Sequence, residues 1–205
     1  MSEKKLVLPW LLLGLLLMTV ACDQRSKAPE TESAFVLPEA ATITDFNLAQ
    51  LERGRYDMED ARGKWSLLFF GYTHCPDICP TTLSSLKLMT SQLKDEPDIL
   101  NNTQIIFVSV DPERDTPEVL SSYMNYFGPL FTGITGFPNN LTDLTRQFSA
   151  AYIKEKETSP GNYLVSHTSS IFLVDPQARI VASFSPPHHP EIISDLYRQI
   201  YALFR

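Results

Sequence analysis

A near-continuous apolar run at residues 65–70 leads directly into a segment with two cysteines, Cys75 and Cys79, and then into a helical pattern. A near-continuous apolar run of this length is typical of a strand that is buried on both faces of a sheet. Residues 81–93 place apolar side chains at helical spacing, which predicts a helix directly after the cysteines. The sequence therefore predicts an α/β domain whose two thiols lie at a strand-to-helix turn.

The segments that follow extend this unit into a larger sheet. Residues 104–110 are predicted as a second buried strand. A helix follows it, because Pro117 is typical of a helix start and Gly128 of a helix end. The remaining patterns predict a strand near 131–134, a helix near 141–148, a polar hairpin between Tyr152 and Val165, two antiparallel strands at 170–174 and 179–184, and a final helix at 190–204. A parallel first half and an antiparallel second half predict a thioredoxin-like fold, with a central mixed sheet flanked by helices and an inserted hairpin.

The stretch at residues 111–117 has a local explanation. It ends the second buried strand and begins the next helix, for which Asp115 or Thr116 can provide the cap. This capping role is favoured over a role of Asp111 or Arg114 near the cysteines.

The N-terminus resembles an export signal. A basic start precedes an uncharged apolar stretch that ends at Cys22 and is shorter than the roughly 20 residues that a membrane-spanning helix needs. Residues 18–22 resemble a bacterial lipoprotein signal, in which Cys22 carries the lipid, and Asp23 resembles a mark that retains such a protein at the inner membrane. An ordinary signal peptide and a short uncleaved anchor are the alternatives. All three interpretations place the domain outside the cytoplasm.

The composition divides the chain into three parts. Residues 1–22 are the predicted lipoprotein-type signal peptide, residues 23–44 a flexible tether, and residues 45–205 the thioredoxin-like domain. The tether is predicted because residues 23–33 are polar and have no apolar period. A net charge of −7 without a cluster of lysine and arginine argues against nucleic acid as a partner.

With Cys22 assigned to lipid, Cys75 and Cys79 are the thiols that remain in the exported part. Residues four apart in a helical turn rise by about 6 Å and point the same way, so the two sulfurs can bind one ion or form a disulfide. The start of a helix favours the thiolate, which is both the nucleophile and the metal ligand. Zinc and iron–sulfur centres need further paired ligands, of which the sequence shows none. Two thiolates and one imidazole suit copper better.

Four histidines are candidates for the third ligand. The ring of His74, next to the first cysteine, is expected to diverge from the thiols, and His188 and His189 are expected in a solvated loop. His167 lies just before the first strand of the antiparallel pair. In a thioredoxin-like fold, the loop that enters this strand lies beside the cysteine turn. Position alone leaves His167 open between a metal ligand and a structural hydrogen-bond partner.

Two segments resemble the signatures of the Sco/SenC proteins. They are residues 70–80, which contain both cysteines, and residues 108–117, and the resemblance extends over the predicted domain. It implies a thioredoxin-like fold on a membrane tether and a copper chaperone that helps to assemble the dinuclear copper centre of cytochrome c oxidase. By match to the family's motif, the copper ligands would be Cys75, Cys79 and His167.

The resemblance also implies a cargo, partners and a location. The cargo would be one copper ion, Cu(I) or Cu(II), and the recipient the copper-bearing subunit of cytochrome c oxidase, with another copper chaperone or a thiol reductant as further partners. A lipid anchor would hold the domain on the periplasmic side of the inner membrane. Many relatives carry an aspartate directly before the ligand histidine, where this chain has Ser166. This difference bears on copper retention and on the choice of partner.

Three other uses of the same cysteines stay open. A thiol–disulfide oxidoreductase would use Cys75 and Cys79 as a redox pair without a required metal, although thioredoxin-type motifs have two residues between the cysteines rather than three. Such an enzyme should tolerate His167→Ala, whereas a copper carrier should not. A peroxidase would attack peroxide with one cysteine, and a structural disulfide would only stabilise the domain.

Overall fold

The computed structural model describes residues 33–50 and 54–204. The strands are β1 (Ala34–Thr42), β2 (Asn47–Leu48), β3 (Tyr56–Asp57), β4 (Trp65–Gly71), β5 (Thr103–Ser109), β6 (Phe131–Ile134), β7 (Tyr152–Lys154), β8 (Val165–His167), β9 (Ile171–Val174) and β10 (Arg179–Phe184). The helices are α1 (Met58–Ala61), α2 (Ile78–Gln92), α3 (Pro97–Leu100), α4 (Pro117–Phe127), α5 (Pro138–Gln147) and α6 (Pro190–Leu203). Every strand and helix predicted from residue 65 onward is present.

Six of the strands form one mixed sheet, in the order β1-β10-β9-β4-β5-β6. β4 pairs in parallel with β5, β5 pairs in parallel with β6, and β9 pairs antiparallel with β4 on its other side. All seven residues of β4 are buried, so both faces of the sheet are covered at its centre. The predicted thioredoxin-like α/β fold with a central mixed sheet is thereby confirmed.

The inserted hairpin, residues 152–167, stands apart from this sheet. Its strands β7 and β8 pair antiparallel in a two-stranded sheet of their own. At its tip Gly161 has a φ of +74°, which glycine adopts without steric cost. β9 begins four residues after the hairpin ends at His167, so the hairpin delivers this histidine to the end of the central sheet.

The first strand corrects one boundary of the prediction. Residues 34–42, which the sequence placed in the tether of residues 23–44, form β1 and pair antiparallel with β10 at the edge of the sheet. Ala34 and Val36 are buried, but most of the strand is not. An edge strand is held by backbone hydrogen bonds and tolerates a proline such as Pro38, so it leaves little apolar pattern in the sequence. The folded domain therefore begins before residue 45.

The predicted signal peptide, the lipidation site Cys22 and residues 23–32 lie outside the described residues. Within the part of the chain that the structure describes, no helix has both the length and the apolar character needed to cross a bilayer. The lipid anchor therefore stays a prediction from the sequence.

Candidate metal centre

The two cysteines lie where β4 gives way to α2. Cys75 is in the connecting loop, and Cys79 is the second residue of the helix. Cys79 is fully buried, whereas Cys75 is half-buried. The backbone N–H of Cys79 donates a hydrogen bond to the sulfur of Cys75 at 3.4 Å. The start of the helix thus stabilises the outer sulfur as a thiolate, because its free N–H groups favour negative charge.

His167 reaches the sulfurs from the inserted hairpin. Its Nε2 lies 3.4 Å from Sγ of Cys79, and the ligand atoms of Cys75, Cys79 and His167 all lie within 4.8 Å of one another. Its Nδ1 lies 3.0 Å from the carbonyl oxygen of Thr168. A carbonyl oxygen only accepts, so Nδ1 carries the proton and Nε2 keeps its lone pair for the site. The structure therefore brings the three predicted ligands together.

Two aromatic rings hold the imidazole in place. Phe69 and Tyr72 meet the His167 ring edge-on, with centroids 5.9 and 6.0 Å away. Both rings are buried. The imidazole orientation is thus set by the packing of the protein, which favours binding because little side-chain freedom is left to lose.

The two thiols differ in acidity. The pKa of Cys75 is lowered from 9.0 to about 5, first because the Cys79 thiol donates a hydrogen bond to it and further by backbone N–H groups of Asp77 and Cys79. The pKa of Cys79 is raised, because that same hydrogen bond needs its proton and because it is buried. The coupled pair therefore loses its first proton from the accessible sulfur of Cys75.

This asymmetry predicts selective alkylation of Cys75. Because the thiolate is the nucleophile, the reduced protein should take up one iodoacetamide at Cys75, with a rate that falls only as the pH drops through about 5. The thiolate of an unperturbed cysteine would already be lost below about pH 8.5. Intact mass spectrometry with peptide mapping between pH 4 and 9 measures this, and Cys75→Ser is the control. Labelling of Cys79 first would contradict the expectation.

Gly71 allows Cys79 to pack against the end of β4. A Cβ atom at this position would lie 2.8 Å from Sγ of Cys79 and 2.7 Å from Cε2 of Phe107. Neither distance is reached by ordinary carbon contacts, so a larger residue would push the sulfur or the ring away. The sequence contains this glycine in the cysteine motif, but its role depends on a helix and a strand that meet only in the fold.

Asp115 holds the cysteine loop and does not cap α4. The cap is Thr116, whose side chain accepts a backbone N–H from the first helical turn. The fully buried carboxylate of Asp115 accepts the N–H and the hydroxyl of Thr73 at 2.8 and 2.5 Å, and the hydroxyl of Ser109 at 2.6 Å. Thr73 is two residues before the first cysteine, so this carboxylate fixes the loop that carries it. The sequence contained a hint of this role, because Thr116 can cap the helix by itself and leaves Asp115 free for another function.

The other histidines are not part of this cluster. His74 and His189 are exposed, as expected. His188 was expected in a solvated loop, and that prediction is wrong: its ring lies 3.1 Å from the hydroxyl of Thr82 and 3.3 Å from the carbonyl oxygen of Phe184. Burial lowers its pKa, so His188 is a neutral histidine that joins α2 to the chain before α6.

Ser166 lies on the exposed face of the hairpin, next to His167 in sequence. Its hydroxyl donates a hydrogen bond of 2.6 Å to a carboxylate oxygen of Glu155, which follows β7. The carboxylate of Glu155 thus lies beside Ser166, the residue before His167, although Glu155 belongs to the other side of the hairpin.

Comparison with known proteins places this centre in a family. A family model described as SCO1/SenC matches residues 36–202. The mitochondrial SCO2 homolog of Bos taurus is 37% identical over 162 residues, which are 78% of this chain and 60% of that protein. The chain therefore spans about three fifths of the length of this relative.

Solved structures agree with the family match. The crystal structure of Arabidopsis thaliana ScoI with copper bound has a TM-score of 0.71 and 31% identity, and the match covers 78% of this chain and 98% of that one. The structure of BsSco has a TM-score of 0.61 and 27% identity, and the match covers 80% and 96%. BsSco is described as having a disulfide switch and as a member of the Sco family of cytochrome c oxidase assembly proteins. With a family model that matches most of its length, the chain belongs to the SCO1/SenC family.

Proposed function

We propose that this protein is a copper chaperone that binds one copper ion through Cys75, Cys79 and His167. The observation that carries the proposal is the convergence of two sulfurs and one imidazole nitrogen within 4.8 Å. Thiolates select Cu(I), and imidazole suits copper in either oxidation state. The Arabidopsis relative contains copper in its crystal structure, which supports the same cargo here.

The unequal burial of the two sulfurs assigns them different tasks. Both must be thiolates to bind the ion, so binding releases the proton of Cys79. The buried sulfur of Cys79 retains the ion, while the half-buried sulfur of Cys75 is open to an approaching protein. Transfer proceeds by ligand exchange, in which a thiolate of the recipient replaces Cys75 first.

The recipient in this proposal is the copper-bearing subunit of cytochrome c oxidase. The description of BsSco as belonging to a family of assembly proteins for this oxidase supports it. The predicted lipid at Cys22 holds the domain on the periplasmic side of the inner membrane, near that subunit. A tether of this kind raises the effective concentration of the domain at its target.

A thiol–disulfide oxidoreductase is the second candidate. The low pKa of the accessible Cys75 and the burial of Cys79 favour it, because they suit an attacking thiol and a resolving thiol. Oxidation of the pair to a disulfide releases two protons and two electrons to the disulfide of a partner. It also removes both thiolates, so the same reaction would block copper loading.

One experiment tests the chaperone. The reduced full-length protein, purified in detergent, should bind one copper ion per chain and pass it to a soluble, metal-free domain of the oxidase subunit. Metal analysis after separation of the two proteins measures the transfer. Cys22→Ser should move the protein out of the membrane fraction without changing the copper stoichiometry. Copper that does not bind, or that stays with this protein when the recipient is in excess, would refute the proposal.

A further inference from the structure

His167 is held at the thiols by a segment that is not part of the central sheet. β7 and β8 share only three residue pairs, from Tyr152 with His167 to Lys154 with Val165. A two-stranded ribbon is marginally stable by itself. The position of the imidazole therefore depends on the contacts that hold the hairpin against the rest of the domain.

Asp111, Arg114 and Tyr163 form a closed ring of such contacts, here named the clasp. Arg114 donates from Nε to the carboxylate of Asp111 at 2.5 Å and from Nη1 to the carbonyl oxygen of Tyr163 at 3.0 Å. The hydroxyl of Tyr163 donates to Asp111 at 2.7 Å, and the guanidinium lies 3.6 Å from the centre of the Tyr163 ring. The clasp thus ties the turn after β5 to a residue that lies four positions before His167.

The clasp also reaches the metal centre through Tyr72. The guanidinium of Arg114 lies 5.6 Å from the centre of the Tyr72 ring, and that ring meets the ring of His167 at 6.0 Å. The hydroxyl of Tyr72 also interacts with the backbone of Val165 in β8. The clasp therefore supports His167 from two directions, along the chain from Tyr163 and through the ring of Tyr72.

Other residues hold the thiols. The loop of Cys75 is fixed by Asp115, and Cys79 is fixed by α2 and by its packing against Gly71. We propose that the clasp is a positioning device for His167, which sets copper affinity without touching the ion. This inference rests on the proposed function for its copper readout, and it also predicts a property of the metal-free protein.

Arg114→Lys tests the clasp, because lysine keeps the charge beside Asp111 but loses the planar stack and the fork of donors. In the full-length protein we expect the dissociation constant for copper to rise about 10- to 100-fold, as when a group that orients a metal-bound histidine is removed. In a His167→Ala background, the same substitution should change it less than about 2-fold, because the histidine that it positions is gone.

Arg179→Lys is the matched control. Arg179 pairs with the buried carboxylate of Asp175 in the turn between β9 and β10, so its substitution breaks the same kind of ion pair elsewhere. It should lower the melting temperature without changing copper affinity. In the metal-free protein, amide hydrogen exchange in β7 and β8 should become faster in Arg114→Lys and stay unchanged in Arg179→Lys.

The outcomes separate the two proposals. The clasp proposal would be overturned if Arg114→Lys lowered copper affinity equally in the wild-type and His167→Ala backgrounds. It would also be overturned if Arg114→Lys changed neither copper affinity nor amide hydrogen exchange in β7 and β8. A wild-type protein that binds no copper refutes the proposed function, and hydrogen exchange alone then decides whether the clasp holds the hairpin. Should Arg114→Lys not fold, Tyr163→Phe takes its place, since it keeps the ring and removes only the hydroxyl, with its bonds to Asp111 at 2.7 Å and to Glu113 at 3.4 Å.

Discussion

Cys79→Ser is expected to abolish copper binding at micromolar concentrations, and His167→Ala to weaken it by roughly 100-fold. A structural zinc site of four thiolate and imidazole ligands contributes about 10–16 kcal/mol, or roughly 3 kcal/mol for each ligand, and a loss of that size for copper corresponds to about 100-fold in affinity. The loss should be larger for Cys79, because a serine hydroxyl is not a soft thiolate ligand. It is also larger because the buried sulfur of Cys79 contacts both other ligands. It lies 3.4 Å from Nε2 of His167, and its thiol donates a hydrogen bond to the sulfur of Cys75.

The measurement is a competition titration of the reduced protein with a copper chelator of known affinity. Serine is close to cysteine in size, so Cys79→Ser should unfold at nearly the same denaturant concentration as the wild type, and this control separates loss of a ligand from loss of the fold. Undiminished copper binding in Cys75→Ser, Cys79→Ser and His167→Ala together would remove the basis of the chaperone proposal.

The same variants distinguish a thiol–disulfide oxidoreductase from a copper chaperone. His167→Ala keeps both thiols, so the rate at which the reduced protein cleaves a small disulfide should change little. Cys75→Ser should stop that reaction, because Cys75 is the accessible thiolate. A His167→Ala protein that keeps both its disulfide cleavage and its copper binding would reverse the order of the two candidates.

Asp115→Ala is expected to lower the free energy of unfolding by about 3–5 kcal/mol, since it leaves several buried donors without an acceptor. The fully buried carboxylate accepts the N–H and the hydroxyl of Thr73 and the hydroxyl of Ser109. Each orphaned donor costs roughly 1–3 kcal/mol, and partial access of water to the cavity returns some of that loss. Urea unfolding measures the change, which should appear as a lower midpoint with an unchanged slope.

Asp175→Ala is the matched comparison for this prediction. Asp175 is also fully buried and accepts two backbone N–H groups, of Gln177 and Arg179, so its loss should cost a similar amount of stability. Under conditions where both variants are folded, Asp115→Ala should also change the alkylation rate of Cys75, whereas Asp175→Ala should not. The reason is that Asp115 fixes the cysteine loop and Asp175 does not contact it. A stability loss below about 1 kcal/mol would show that the three donors find other partners.

Local pattern was sufficient for the elements of the central sheet. The apolar run before the cysteines, the second buried strand and the Pro117 to Gly128 helix each carry their signal within a few residues, and all three are present. β1 escaped prediction because an edge strand is defined by its pairing with β10, and backbone pairing leaves no periodic trace in side chains.

The metal centre shows the same division. Cys75 and Cys79 are four residues apart at the start of a helix, and this local spacing was enough to predict that they could share one ion or form a disulfide. His167 is 88 residues from Cys79, and spacing alone left it open between two roles. The fold placed its Nε2 beside the sulfurs, and its proton on Nδ1 follows from the carbonyl oxygen of Thr168.

The sequence by itself determined the type of fold, the pair of thiols and, through its motifs, the family. Only the tertiary structure decided which side chains support the site, because Asp115, Arg114 and Tyr163 act across contacts that join distant parts of the chain. A buried carboxylate and a capping residue look the same in a sequence. They differ in which hydrogen-bond donors the fold brings to them, and that depends on packing rather than on local pattern.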